Sequence, residues 1–231
     1  SAYDAQLREL AAAGRTTPAI YEALTTSDVR AACDLLRPVY DATDGVDGYV
    51  SLEVSPLLAR DTGTSIAEGR HLATLVDRPN LMIKIPGTVE GIPAVEALLA
   101  DGINVNVTLL FSVERYQAVA EAWLRALERR HAAGKPLARV ASVASFFVSR
   151  IDTLVDQLIE HRLRPDGSSP VTPNPAHLRG RIAIASAKLA YASYRRMVGS
   201  ERWQRLAEAG ARPQRLLWAS TGTKNPAYSD T

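Results

Sequence analysis

The chain is 231 residues long, 46% hydrophobic and 23% charged, with 27 basic side chains against 25 acidic ones. That composition excludes a disordered or collagen-like chain, and a formal net charge of +2 advertises neither a nucleic-acid partner nor a membrane surface. The length suits one domain, at or slightly below the size of an α/β barrel. A single cysteine, Cys33, excludes an internal disulfide and a multi-cysteine metal site, and the four histidines are scattered, so no metal is expected. No apolar run reaches the length of a membrane span and no signal-peptide pattern opens the chain, which makes the cytoplasm the expected setting.

In chain order, residues 4–13 have helical apolar spacing. Thr17-Pro18 reads as an N-cap with proline at N1, opening a helix over 19–24, and Ser27 reads as the N-cap of a second helix running towards Val39. An alternation follows. Residues 49–54, 81–85, 103–110, 140–148 and 216–220 are short apolar runs with strand character. Helical segments at 66–76, 92–100, 113–132 and 151–163 fall between them, and 176–197 and 203–208 precede the last run. Residues 164–175 are rich in Pro, Ser and Gly and read as a loop.

Five strands with a helix between each pair imply a parallel sheet, because parallel neighbours need crossover connections. The runs are nearly all apolar, which predicts strands buried on both faces. A doubly wound open sheet and an α/β barrel both fit. No GxGxxG follows the first strand and no Walker A loop occurs, which disfavours nucleotide binding.

Function in either architecture collects at the carboxyl ends of the strands. There the strands carry Ser51 and Glu53; Lys84; Asn104, Asn106 and Thr108; Ser142, Ser145 and then Arg150; and Ser220 with Lys224 just beyond. Lys84 sits in Leu81-Met82-Ile83-Lys84-Ile85, the most apolar setting of only four lysines. Burial disfavours a charged amine, and a neutral amine in a dry pocket is the nucleophile that attacks a carbonyl to form a Schiff base. The alternative is a structural ion pair with Glu53. Glu53 is either a proton shuttle or that partner. Asn106 and Thr108 either bind substrate hydroxyls and a water or close local hydrogen bonds. Arg150, between a strand and a helix, suits an anion, against the plainer reading of a surface arginine. The basic stretch from Arg125 to His131 reads as a solvated face, Trp123 and Trp203 as packing residues, and Cys33 as a buried small apolar residue.

Five segments, YVSLEVSP (49–56), NLMIKIPGTVEG (80–91), GINVNVTLLF (102–111), ASFFVSRID (144–152) and LWASTGTKNPAY (217–228), resemble the transaldolases, in particular their longer actinobacterial-type branch. The resemblance runs in order through the chain. It implies a (β/α)8 TIM-barrel fold, with Lys84 as the Schiff-base lysine. Glu53 and Thr108 flank a catalytic water, while Ser51, Asn106, Ser145 and Phe147 line the sugar. Arg150, Ser220 and Lys224 hold the phosphate. The implied reaction moves a dihydroxyacetone unit between sugar phosphates of the pentose phosphate pathway. Sedoheptulose 7-phosphate, fructose 6-phosphate, erythrose 4-phosphate and glyceraldehyde 3-phosphate are its substrates. No cofactor is implied, because the protonated imine is itself the electron sink. An aldolase releasing free dihydroxyacetone and a catalytically impaired sugar-phosphate-binding fragment are the alternatives.

The resemblance also implies an opening strand with a general acid/base aspartate and a following Thr-Ser-Asn-Pro motif, and neither occurs here. Five strands against the eight of a barrel make residues 1–231 an expected single domain incomplete at both ends. Open parallel edges would then favour a homo-oligomer.

Overall fold

The computed structural model describes residues 2–163, 173–226 and 228. Two helices open the chain, α1 (Asp4–Ala12) and α2 (Thr17–Ala42), and strands and helices then alternate. The strands are β1 (Val50–Glu53), β2 (Leu81–Pro86), β3 (Val105–Leu110), β4 (Ser142–Phe147) and β5 (Arg215–Ala219). The helices between them are α3 (Thr62–Val76), α4 (Gly91–Asp101), α5 (Val113–Ala132) and α6 (Ser149–Arg162), with α7 (Ile182–Val198) and α8 (Glu201–Glu208) before the last strand. All five expected strands are present within a few residues of their expected ends.

The strands pair in parallel in the order β1-β2-β3-β4-β5. This sequential order decides between the two architectures. A doubly wound sheet reverses its order at a switch point, whereas a barrel winds in one direction. The five strands form an open sheet with the winding of a partial (β/α)8 barrel.

One face of that sheet carries Ile83, Ile85, Val105, Val107, Ala144 and Phe146, all 0% exposed, against Leu98, Leu99, Trp123 and Leu127 of α4 and α5. Trp123 and Trp203 stack with centroids 4.9 Å apart, as packing residues should. The other face is polar. Burial on both faces holds for β2 to β4 but fails at the edges, where Ser51, Glu53 and Leu217 are exposed. Strand β3 carries a register shift between Val107 and Leu110, and Leu109 adopts a left-handed φ of 61°. The irregularity turns Leu110 back to the helix-covered face, where it is fully buried.

Three local expectations need correction. Residues 17–42 form one helix, not two. Ser27 is no cap, because the hydroxyls of Thr25 and Thr26 fold back onto the carbonyls of Tyr21 and Glu22, at 2.9 and 2.7 Å, and the helix continues. Its cap is Thr16, whose Oγ1 accepts from Ala19 N at 3.4 Å. The helix expected over 176–197 breaks at Gly180, with φ +65°, after a 3-10 turn at Pro175–Leu178. Its body starts afresh at Ile182. Arg130 leaves the solvated face of α5: it is 7% exposed and donates to the carbonyls of Ala100 (3.0 Å) and Pro136 (2.8 Å). Burial holds its guanidinium below the usual arginine range. Of the expected loop at 164–175, residues 164–172 lie outside the described residues.

Ahead of β1, the Tyr49 ring packs edge-on against Tyr40 with centroids 5.3 Å apart, and its hydroxyl donates to the Gly45 carbonyl at 2.8 Å. Burial pushes the Tyr49 phenol up to about 12. A raised folded value favours the protonated form. The contribution is therefore whole below the free-tyrosine range near ~10 and drains away as pH rises towards the folded value. Urea midpoints measured at about pH 9 and about pH 11.5 should fall further in the wild type than in Tyr49→Phe; equal falls would remove Tyr49 as the cause.

Candidate active site

The inner face of the sheet is set by register. Glu53 pairs with Lys84 and Lys84 with Asn106, so the three lie in one row across β1, β2 and β3. Lys84 Nζ meets Glu53 Oε2 at 3.0 Å. Asn106 Nδ2 donates to Ser51 Oγ at 3.0 Å, and Ser145 Oγ donates to Asn106 Oδ1 at 2.8 Å. Both ends of the Asn106 amide are thereby committed, which fixes its orientation from two other strands. Thr108 sits two residues further along β3, opposite Pro86, and is 1% exposed.

Lys84 therefore lies on a dry strand but not in a dry pocket. Its side chain is 31% exposed and faces a carboxylate, against the expectation of an isolated buried amine. The expected ion pair with Glu53 is present. It does not compete with a chemical role, since a carboxylate at hydrogen-bond distance is also where a proton from the amine would go.

The loop after β2 explains the PGTVEG motif. Gly87 N donates to the Thr108 carbonyl at 2.7 Å, and a side chain at Gly91 would collide with the Pro86 carbonyl. Thr88 Oγ1 donates to Ala59 O at 2.6 Å and accepts from Gly91 N at 2.9 Å. The motif locks β2 to the start of α4 and holds the lysine strand in place.

A second cluster lies at the end of β4. Phe147 pairs with Ala219 across the sheet, and the Arg150 guanidinium carbon lies 5.0 Å from the Phe147 ring centroid. Arg150 stands in the first turn of α6. Ser220, at a left-handed φ of 54°, accepts from Ser149 N through its carbonyl at 2.9 Å, and the two hydroxyls are 3.0 Å apart. The amino end of α6 thus carries two facing hydroxyls, and Arg150 in its first turn is exposed with its head group over Phe147, an arrangement that suits an anion.

Two expected residues stand apart. Asn104 precedes β3, is 7% exposed, and has its amide tied up in backbone bonds at the opposite end of the sheet. Ser142 opens β4 at that same end, donating to Val105 O at 2.9 Å and accepting from Gln214 Nε2 at 2.9 Å. Lys224 lines a cavity of about 470 Å³ together with Ser149 of the second cluster and with Asp152, Asp156, Glu160 and Tyr228. Tyr228 Oη donates to Asp156 Oδ2 at 2.6 Å, and this bond pushes the phenol up to about 12.

Sequence reasoning gave no role to two residues that touch the second cluster. Ser149 has a signal, a hydroxyl at a strand-to-helix junction beside the arginine. Phe111, whose ring centroid lies 5.0 Å from that of Phe147, has only its place just beyond a strand end. A cavity of about 600 Å³ at the amino end of the sheet is lined by Arg37, Arg78 and Arg139. All three are already paired, with Asp41, Asp34 and Asp44 respectively. Among the described residues, no group of His, Cys, Asp or Glu is placed to hold a metal ion, and no helix is long and apolar enough to cross a membrane.

Fold and inner face together define a barrel-type α/β protein with an amine–carboxylate pair in its polar layer and an anion-suited corner at the end of the next strands. The chain belongs to the transaldolase/fructose-6-phosphate aldolase family, whose model matches residues 1–231. It is 57% identical to the transaldolase of Thermobifida fusca over 230 residues, 100% of this chain and 60% of that protein. It is 53% identical to the transaldolase of Mycolicibacterium smegmatis over 231 residues, again 100% and 60%. The transaldolase of Trichodesmium erythraeum is 50% identical over 228 residues, 99% of this chain and 60% of that protein. The chain thus spans about 60% of the length of these curated relatives.

Proposed function

We propose that the chain carries the Schiff-base chemistry of a transaldolase, with residues 1–231 as a single domain that holds five strands of an α/β barrel and acts on sugar phosphates in the cytoplasm. The observation that carries this is the Lys84–Glu53 pair at 3.0 Å in the same row as the fixed Asn106 amide, in a chain matched throughout by the family. The Lys84 amine, its proton passed to Glu53, attacks the ketose carbonyl. The carbinolamine loses water, with Glu53 and Thr108 beside that water, and leaves a protonated imine. The cation can then take up the electron pair of the neighbouring C3–C4 bond, which leaves the dihydroxyacetone unit on Lys84 as an enamine and releases C4 as the aldehyde of the shortened aldose. This cleavage also needs a base for the C4 hydroxyl proton, the part given by the resemblance to the aspartate that does not occur in residues 1–231. Ser51, Asn106, Ser145 and Phe147 face the sugar, and Arg150 and Ser220 take its phosphate. Lys224, whose cavity is also lined by Ser149 of the same cluster, is their third member, as a point charge.

Borohydride reduction in the presence of fructose 6-phosphate, followed by intact-mass measurement, tests this reading. A single sugar-derived adduct is expected on the wild-type protein, and folded protein without one would overturn it. Transfer is tested separately by adding erythrose 4-phosphate. Turnover that depends on this acceptor is expected, while turnover indifferent to it would assign the aldolase reaction instead.

A further inference from the structure

Phe111 stands just beyond β3 and is 41% exposed. Its ring lies against Phe147, centroids 5.0 Å apart and planes at 37°. The same Phe147 ring carries the Arg150 guanidinium, 5.0 Å from its centroid. The chain reaches this position by an unusual backbone. Leu109, two residues earlier, holds φ 61°, which is costly for a side chain branched at Cγ and marks the bulge in β3. Asp44 and Asp77 also adopt left-handed backbone, but aspartate tolerates it. Leu109 and Ser220 do so at the carboxyl ends of β3 and β5, on either side of the Phe147–Arg150 segment. Strain of this kind persists where the surroundings fix it, and it clusters at functional sites.

We infer that Phe111 is a positioning residue: through Phe147 it holds the Arg150 guanidinium in place for the substrate phosphate. The inference rests on the phosphate role proposed above for Arg150. Among the described residues no carboxylate lies within ion-pair distance of Arg150, and the Phe147 face is the contact that restrains its head group. Phe147 is itself only half-buried, and the Phe111 ring packs against it. Removing Phe111 frees one flank of Phe147, widens the range of Arg150 and dilutes the geometry a phosphate needs.

The test uses inorganic phosphate as the probe and the Arg150 Nε–H resonance as the reporter, assigned by its loss in Arg150→Lys. In wild-type protein the resonance is expected to be shifted by the Phe147 ring and to move on adding phosphate. In Phe111→Ala the ring shift should shrink and the phosphate Kd should rise about ten-fold, with the backbone amide spectrum away from β3 and β4 unchanged. Phe111→Tyr should restore both. An unchanged phosphate Kd in Phe111→Ala, failure of Phe111→Tyr to rescue, or a wild-type Arg150 indifferent to phosphate overturns the inference. None of these measurements passes through Lys84. Absence of a borohydride adduct alongside an intact phosphate response would remove the Schiff-base reading and leave this one standing, and the reverse result would do the opposite.

Discussion

Lys84→Met protein, mixed with fructose 6-phosphate and borohydride, is expected to gain no mass where the wild type gains one adduct. Lys84 is the lysine on the inner face of the sheet, and Lys135, Lys188 and Lys224 are all exposed elsewhere. Those three amines report non-specific reduction, which should be the same in wild type and variant. The substitution leaves Glu53 without its partner, but that carboxylate is 43% exposed and stays hydrated, so the fold should survive. Lys84→Arg is the stricter control. It keeps the charge opposite Glu53 but offers a guanidinium that stays protonated and forms no imine. Glu53→Gln keeps the shape and removes the proton acceptor, and it should slow adduct formation by about 100-fold or more while leaving the adduct on the same lysine. Peptide mapping locates the reduced sugar. An adduct in full yield on Lys84→Met, or one mapped to an exposed lysine in the wild type, would sink the assignment.

Much of this fold is written locally. The five strands are legible because short apolar runs between turn residues leave few other options. The long helix α5 matches its expected bounds because its apolar stripe is continuous and Ser112 caps it, accepting from Arg115 N at 3.2 Å. The misreadings arise where a side chain serves a backbone group that local spacing does not reveal, within the same helix or from another one. Thr25, Thr26 and Ser27 look like a break only until the threonine hydroxyls are seen to serve the helix that contains them. The start of α7 has no side-chain cap of its own, since Ala183 N donates to Asp152 Oδ1 of α6 at 2.9 Å. Neighbouring Gly180 N donates to Asp156 Oδ1 at 3.1 Å. Such caps leave no trace in the capped segment. The candidate site divides the same way. Lys84 is conspicuous as a cation inside an apolar run, and period-two spacing puts Ser51 with Glu53 and Asn106 with Thr108. Nothing in that spacing says which end of a strand a polar residue serves, and so Asn104 looks alike with Asn106, while Ser142, three residues before Ser145, falls on the other face by the same spacing.

Asn104→Ala is expected to lower unfolding free energy by about 3 kcal/mol, whereas Asn106→Ala should cost about 1 kcal/mol or less and suppress adduct formation at Lys84 instead. The two asparagines are two residues apart on β3 or its approach, share a face and are chemically identical, so only their surroundings separate them. Asn104 Nδ2 donates to the carbonyls of Pro79 and Leu81, each at 3.0 Å, and its Oδ1 accepts from Ala141 N at 2.9 Å. It therefore ties the entries of β2, β3 and β4 together in a site that is 7% exposed, and alanine leaves those backbone groups without a partner or water to replace it. Asn104→Asp should be worse, because an acceptor would then face two carbonyl oxygens. Asn106 is half-buried, and its partners are the hydroxyls of Ser51 and Ser145, which can turn to other acceptors when the amide goes. Urea midpoints and adduct yields measured on both variants decide the matter. Stability lost equally at the two positions would mean that Asn106 is one more stitch in the sheet. Full adduct yield in Asn106→Ala would remove its amide from the chemistry.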